Sequence, residues 1–186
     1  MLNSELKIIE SNGHTYYLKD GKKLISTSAI TKLFGSKYLE IPEFILSKAK
    51  EAGEQIHQDI QSFMSNSNEP KLSTIEFYKW KLANTSGNIL GFEKLIYDDT
   101  FIGFIDIDLD DCFIELKTRT TDDVLDIETV LQCEIYKRIV KKPYHIVNIN
   151  RKTNKVVELI PKQEDIKKVN EFIDQFVKLS KVIEWK

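Results

Sequence analysis

The chain is short of several residues that define broad protein classes. It has two cysteines, Cys112 and Cys133, in 186 residues. Two thiols build neither a disulfide framework nor a four-cysteine metal site, so a reducing, cytoplasmic setting is the default expectation. Apolar runs are only a few residues long, which leaves no transmembrane span and no membrane partner. The opening MLNSELKIIE has no basic region followed by an apolar stretch, so no signal peptide is expected. Arginine occurs only at Arg119, Arg138 and Arg151, and the net charge is −2. This balance argues against a protein that grips nucleic acid by bulk positive charge. It is compatible with a local nucleic-acid site at which metal ions supply the positive charge. Internal repeats and low-complexity tracts are also missing.

What is present suits a single domain over residues 1–186. Apolar residues make up 41% and charged residues 30%, ordinary values for a globular chain. Residues 6–10 and 15–19 read as a strand pair around Ser11-Asn12-Gly13. Ser26-Thr27-Ser28 can cap a short helix reaching Phe34. Pro42 opens a longer helix to Met64, with Ile45, Ala49, Ala52, Ile56, Ile60 and Phe63 as its apolar stripe. Residues 65–70 break it, and 73–84 can form another helix.

From Asn88 the periodicity changes. Strands are expected at 89–97, 101–109 and 112–118, with Asp98-Asp99-Thr100 and Asp110-Asp111 as turns. Thr121-Asp122-Asp123 then caps a helix to Val140, whose stripe is Val124, Ile127, Leu131, Ile135 and Ile139. Strands at 144–149 and 156–160 and a final amphipathic helix through Ile166, Val169, Ile173 and Val177 complete the order. This predicts an α/β fold: an α-β-β-β-α-β core, a mixed sheet flanked by helices, an N-terminal hairpin and a C-terminal helix.

The informative stretch is Phe101–Thr118, FIGFIDIDLDDCFIELKT. Alternate residues of a strand share a face, so Glu115 lies with Lys117, and Asp106 with Asp108 opposite Ile105 and Ile107. If Asp110-Asp111 is a two-residue turn, Asp106 pairs directly with Glu115. Directly paired Cβ atoms lie about 4.5–5.5 Å apart. Two carboxylates that close repel unless a cation lies between them or one takes a proton. Divalent ions such as Mg²⁺ take oxygen ligands from one or two carboxylates and from substrate phosphate. With Lys117 beside them, the acids fit metal-assisted phosphodiester hydrolysis. The plainer alternative is a solvated acidic face, but strands this apolar on the other side suggest a sheet covered on both faces, where an acid needs a reason.

The sequence resembles the PD-(D/E)XK nucleases, of the RecB-like and phage-exonuclease type, over residues 14–142. Gly103-Phe104-Ile105-Asp106 followed by Glu115-Leu116-Lys117-Thr118 resembles the family's central pattern. Gly53-Glu54-Gln55-Ile56-His57 resembles its upstream helix motif, and Gln132-Cys133-Glu134-Ile135-Tyr136 its downstream one. Glu93 matches an acid found before the meander in relatives. Each motif alone is weak; their order on the expected elements carries the resemblance.

The resemblance implies a restriction-endonuclease-like core and assigns roles. Asp106 and Glu115 would bind Mg²⁺ or Mn²⁺, with the Leu116 carbonyl as a further ligand. Lys117 would orient or activate the water. His57 would be an additional metal ligand or a phosphate contact. Gln132 and Tyr136 would position DNA or support the metal site, and Glu93 and Gly53 would support it. With two cysteines the chain would carry no iron–sulfur cluster and be a cluster-free relative of the CRISPR-adaptation nucleases. The expected activity is an exonuclease acting on single-stranded DNA or duplex ends in phage or bacterial recombination, repair or DNA degradation, with a homo-oligomer or a recombination partner for processivity. Two alternatives are a nuclease-fold DNA-binding or assembly protein without hydrolysis and a structure-specific endonuclease. Asp108 is a lesser candidate ligand. Lys137, Arg138, Lys141 and Lys142 form a basic cluster that also suits a helix C-terminus. His14, His145 and both cysteines are expected to be structural.

Overall fold

A computed structural model of the chain describes residues 6–11, 14–33, 42–65 and 69–181. The Asn12-Gly13 turn, the helix end at Phe34 and residues 66–68 of the expected break lie outside these residues. Strands β1 (Leu6–Ser11), β2 (His14–Lys19) and β3 (Lys22–Lys23) form a small antiparallel sheet, with Ile8 opposite Tyr17. Strand β4 (Ile25–Ser26) leads into helices α1 (Thr27–Thr31), α2 (Glu43–Met64) and α3 (Leu72–Asn84). The meander follows as β5 (Ile89–Tyr97), β6 (Phe101–Leu109) and β7 (Phe113–Arg119). Helix α4 (Ile127–Val140), strands β8 (Tyr144–Asn150) and β9 (Val156–Glu158), and helix α5 (Gln163–Ser180) end the order.

The main sheet is mixed. Pairs β5–β6, β6–β7 and β8–β9 are antiparallel, while β4–β6 and β7–β8 are parallel. Helix α4 crosses from β7 to its parallel neighbour β8, the connection a parallel pair requires. Both faces are covered. Ile30, Phe101, Ile105, Leu131, Ile135, Val169 and Ile173 form a core with α1, α4 and α5. Ile60, Phe77, Ile107, Leu109, Ile114 and Leu116 form a second core with α2 and α3. Cover on both faces explains the largely apolar sequence of β6 and the burial of β8 from Ile146 to Asn150.

An Asp side chain closes the first meander turn and a backbone hydrogen bond the second. Asp98 Oδ1 accepts from the N–H groups of Thr100 and Phe101, each at 2.7 Å. Leu109 N–H bonds the Cys112 carbonyl at 2.9 Å across Asp110-Asp111. This two-residue turn sets Asp108 opposite Phe113 and Ile107 opposite Ile114.

Two expectations on α4 need correction. The helix starts at Ile127, capped by Asp126 Oδ1 on the Thr129 N–H at 2.8 Å. Thr121-Asp122-Asp123 are instead tied to β8. Buried Asn148 donates to the carbonyls of Thr121 and Asp122, and Asn150 to the Asp122 carboxylate at 2.6 Å. Val124 therefore precedes the helix and is exposed rather than part of its stripe. Ile45 and Ile160 are likewise exposed, so the α2 stripe is well buried only toward Ile60, and β9 stops at Glu158.

Candidate active site

The site lies where β6 loses its regular partners. Strand β4 takes one end of an edge of β6, at Phe101 and Ile102, and β7 takes the other end, at Ile107 and Asp108. Between them the strands diverge, and side chains replace the missing ladder. Asp106 Oδ2 accepts the Leu116 N–H at 2.7 Å, and the Tyr136 hydroxyl accepts the Phe104 N–H at 3.3 Å. The register of the pairs at 107 and 108, carried one residue further, sets Asp106 opposite Glu115.

Strict alternation fails at this point. Ile105 belongs to the core under α4, whereas Ile107 belongs to the core under α2 and α3. On β5 the same break separates Ile96 from Phe92. Glu93 lies at the break with φ 46°, a left-handed backbone that a non-glycine residue rarely adopts. Such positions store strain of order 1–3 kcal/mol and gather at functional sites. Asp106 and Asp108, expected on one face opposite Ile105 and Ile107, are therefore separated by a face switch and meet different partners.

Two glycines set the distances. A Cβ on Gly53 would meet Thr118 Oγ1 at 2.6 Å, so glycine lets α2 approach β7 closely. His57, one turn further, then reaches the acids: its Nδ1 lies 3.8 Å from both Glu93 Oε1 and Asp106 Oδ1. A Cβ on Gly103 would run into the Tyr136 ring, so glycine there lets α4 seat that ring against β6.

Glu115 is buried with its side chain only 3% exposed. Lys117 Nζ donates to its Oε1 at 2.7 Å, and its Oε2 is buried without a partner. Lys117 also donates to Gln132 Oε1 at 3.4 Å, and Gln132 Nε2 to the Tyr136 hydroxyl at 3.1 Å. Gln132 and Tyr136 thus link Lys117 to the Phe104 backbone, two residues before Asp106.

Charges in this cleft do not cancel. Burial and the Glu115 charge push the Asp106 carboxyl up to about 7, against His57, Lys117 and the Leu116 N–H. Burial alone would lower the Lys117 pKa, but Glu115 and Asp106 hold it above its ordinary value, so it stays an ammonium. Burial also works against a charged His57; Glu93, Asp106 and Glu115 outweigh it and raise its pKa. Burial, followed by the Glu115 charge, keeps the Tyr136 phenol and the Cys133 thiol neutral.

Among the described residues, His57, Glu93 and Asp106 form a group able to hold a metal ion, one ligand atom from each lying within 4.8 Å of the others. Glu115 is not in that group; its Oε1 accepts from Lys117 and its Oε2 has no hydrogen-bond partner. The contact observed for Leu116 is made by its N–H, not its carbonyl. Sequence reasoning placed Glu93 only as support; its left-handed backbone is what aims it at His57.

Other candidates are engaged by partners elsewhere in the fold. Asp108 is buried between Lys94 and Lys142. Arg138 pairs with Asp174 and Asn170, and Lys137 lies 3.7 Å from Glu134. His145 Nδ1 contacts Glu158 at 2.7 Å. Burial and Asp111 push the Cys112 thiol up to about 12. A feature that sequence reasoning missed is a cavity of about 510 Å³ beside the site, between α2, β7 and the start of α4. Arg119, Asp126 and Glu128 line it, and no spacing motif marks them. A larger cavity of about 840 Å³ lies between the β2–β3 turn and the end of α5, and holds no comparable convergence of acids.

No protein-family model matches the chain, and no curated protein is significantly similar to it. No described helix is long and apolar enough to cross a membrane.

Proposed function

We propose that the chain is a Mg²⁺- or Mn²⁺-dependent deoxyribonuclease of the PD-(D/E)XK type that removes nucleotides from DNA ends. One observation carries the reading. Glu93 and Asp106 converge on His57, Glu115 is held by the Lys117 ammonium, and the other oxygen of Glu115 is buried without a hydrogen-bond partner. A buried unpaired carboxylate oxygen is costly, and a hard cation is the partner it suits. The helix, three-strand meander, helix, strand order around the acids supports the same reading.

The donor set fits a divalent ion. His57, Glu93 and Asp106 would hold it, and Glu115 would offer its free oxygen. Such an ion supplies Lewis acidity and lowers the pKa of an attacking water. The protein's own groups do the rest. Lys117 is already protonated, so it enters as a donor to a phosphate oxygen and not as a general base. Gln132 holds it in line with the acids. Tyr136 fixes the backbone that carries Asp106.

Digestion of end-labelled single- and double-stranded DNA in Mg²⁺, Mn²⁺ or EDTA tests the proposal. The expected result is stepwise shortening with either metal and none in EDTA. Intact DNA under every condition would overturn it. Equal cutting of closed-circular DNA would move the activity to an endonuclease.

A further inference from the structure

The cavity beside the acids has an unusual charge balance for a nuclease. Its cations are engaged: Arg119 pairs with Asp126, Lys117 with Glu115, and Lys50 at the rim lies 3.5 Å from Glu54. Glu128 also lines the cavity, and no described ion pair includes it. Its Oε2 is buried without a hydrogen-bond partner. The N-terminus of α4 would by itself favour an anion. Here Asp126 already takes the Thr129 N–H, and Glu128 adds a second negative charge in the first turn. Beside α4 the guanidinium of Arg119 is already paired with Asp126, whereas Glu128 Oε2 is an acceptor without a donor.

The volume, about 510 Å³, falls in the roughly 300–1,000 Å³ range of small-ligand sites. It has room for one nucleoside, and His57 and Lys117 at its wall join it to the reacting centre. We propose that this cavity receives the terminal nucleoside of the strand being cut, and that Glu128 makes it select a hydroxyl end over a phosphate end. A terminal hydroxyl donates to the carboxylate; a terminal phosphate is acceptor-only and carries like charge. The proposal rests on the nuclease reading, and it adds an end chemistry which that reading does not contain.

Four otherwise identical oligonucleotides test it, ending in 3′-hydroxyl, 3′-phosphate, 5′-hydroxyl or 5′-phosphate. At whichever end is degraded, the phosphate should slow cleavage about tenfold or more. Glu128→Gln should bring the hydroxyl-to-phosphate ratio close to one, and Glu128→Lys should invert it. The ratio is read within each protein, so a change in overall turnover does not obscure it. Equal rates on both ends, or a preference unchanged in Glu128→Gln, would overturn the proposal. Fluorescence anisotropy of the same oligonucleotides in Ca²⁺ separates it from the nuclease reading. If nothing is cut but wild type binds the hydroxyl end more tightly and Glu128→Gln does not, the subsite stands and hydrolysis falls. If binding shows no difference between ends, the subsite falls.

Discussion

Asp106 and Asp108 stand two residues apart on one strand, both are withdrawn from water, and they differ in what answers their charge. Asp108 has its carboxylate between the ammonium groups of Lys94 and Lys142, the latter at 2.7 Å. Asp106 faces a second buried acid, an imidazole and one backbone N–H. Two lysines leave Asp108 with nothing further to bind. Asp106, Glu115 and Glu93 together exceed what Lys117 can neutralise, and that excess sets the surroundings of Asp106 apart from the balanced ion pairs of Asp108. A buried acid is informative when its partners fail to balance it.

The sharpest test of this contrast is Lys117, the one fixed cation on the unbalanced side. Lys117→Ala should cut the single-turnover rate about 10²–10³-fold, the effect of removing one preorganised donor. The fold should persist, because Lys117 lines the cavity and belongs to neither apolar core. Rapid-quench cleavage in Mn²⁺, with circular dichroism as the fold control, measures both. Near-normal turnover would remove Lys117 from the chemistry and leave it a partner of Glu115 only.

Asp108→Asn attacks the balanced side. It strands two lysines, of which Lys94 is half exposed and can turn to water. The expected loss is about 2–4 kcal/mol of stability, or about 4–16 °C in melting temperature for a domain of this size. Mn²⁺ affinity and turnover of the folded fraction should not change. A fall in Mn²⁺ affinity at full stability would show that the two aspartates form one site.

Asp106→Asn should act in the opposite direction on stability in EDTA. The folded carboxyl titrates near 7 and the unfolded one near 3.8. Between those pH values the folded state holds more protons, so stability falls as pH rises through the window. Asparagine removes that decline, and at pH 7.5 the variant should be more stable by about 1–2 kcal/mol. It should also lose the rise in melting temperature that Mn²⁺ gives wild type. A variant less stable than wild type at pH 7.5 would mean that Asp106 is charged at no expense to the fold.

Part of the arrangement around these acids is legible in the sequence, and the parts that are not share a cause. The facing of Asp106 and Glu115 was readable because Asp110-Asp111 is a local signal: a two-residue turn fixes register by itself. Gly103 and Gly53 stand in the sequence only as motif positions, and packing shows that they make room for Tyr136 and Thr118. The face switch at Glu93 and Asp106 was not readable, since a left-handed glutamate has no sequence signature. The start of α4 was misplaced because Thr121, Asp122, Asp123 and Asp126 all offer capping chemistry. Asn148 and Asn150 decide among them from another strand, a tertiary choice invisible to local patterns. Glu128 has no signal in the sequence for the same reason: an acid in the first turn of a helix is ordinary, and only packing leaves its Oε2 buried without a hydrogen-bond partner.

The smallest effect, and the one that refines the contrast most finely, concerns His57. Burial disfavours its charged form, but Glu93, Asp106 and Glu115 together raise its pKa above the ordinary 6.5. In the metal-free protein a raised pKa adds stability below the unfolded value, and that stability disappears as pH rises through the folded value. An imidazole that ligates a metal must be neutral, so ion and proton compete for the same nitrogen lone pair. Mn²⁺ binding at pH 6.5 should therefore release protons from both His57 and Asp106. Calorimetric titration in buffers of different ionisation enthalpy counts them. His57→Ala should release about one proton fewer and need about tenfold more Mn²⁺ for half-maximal activity, with excess Mn²⁺ restoring much of the rate. His57→Gln, which keeps the size and cannot titrate, should match it in proton count. If both variants release as many protons as wild type and keep its metal requirement, His57 is a packing residue against the acids, and the unbalanced end of β6 reduces to its carboxylates and Lys117.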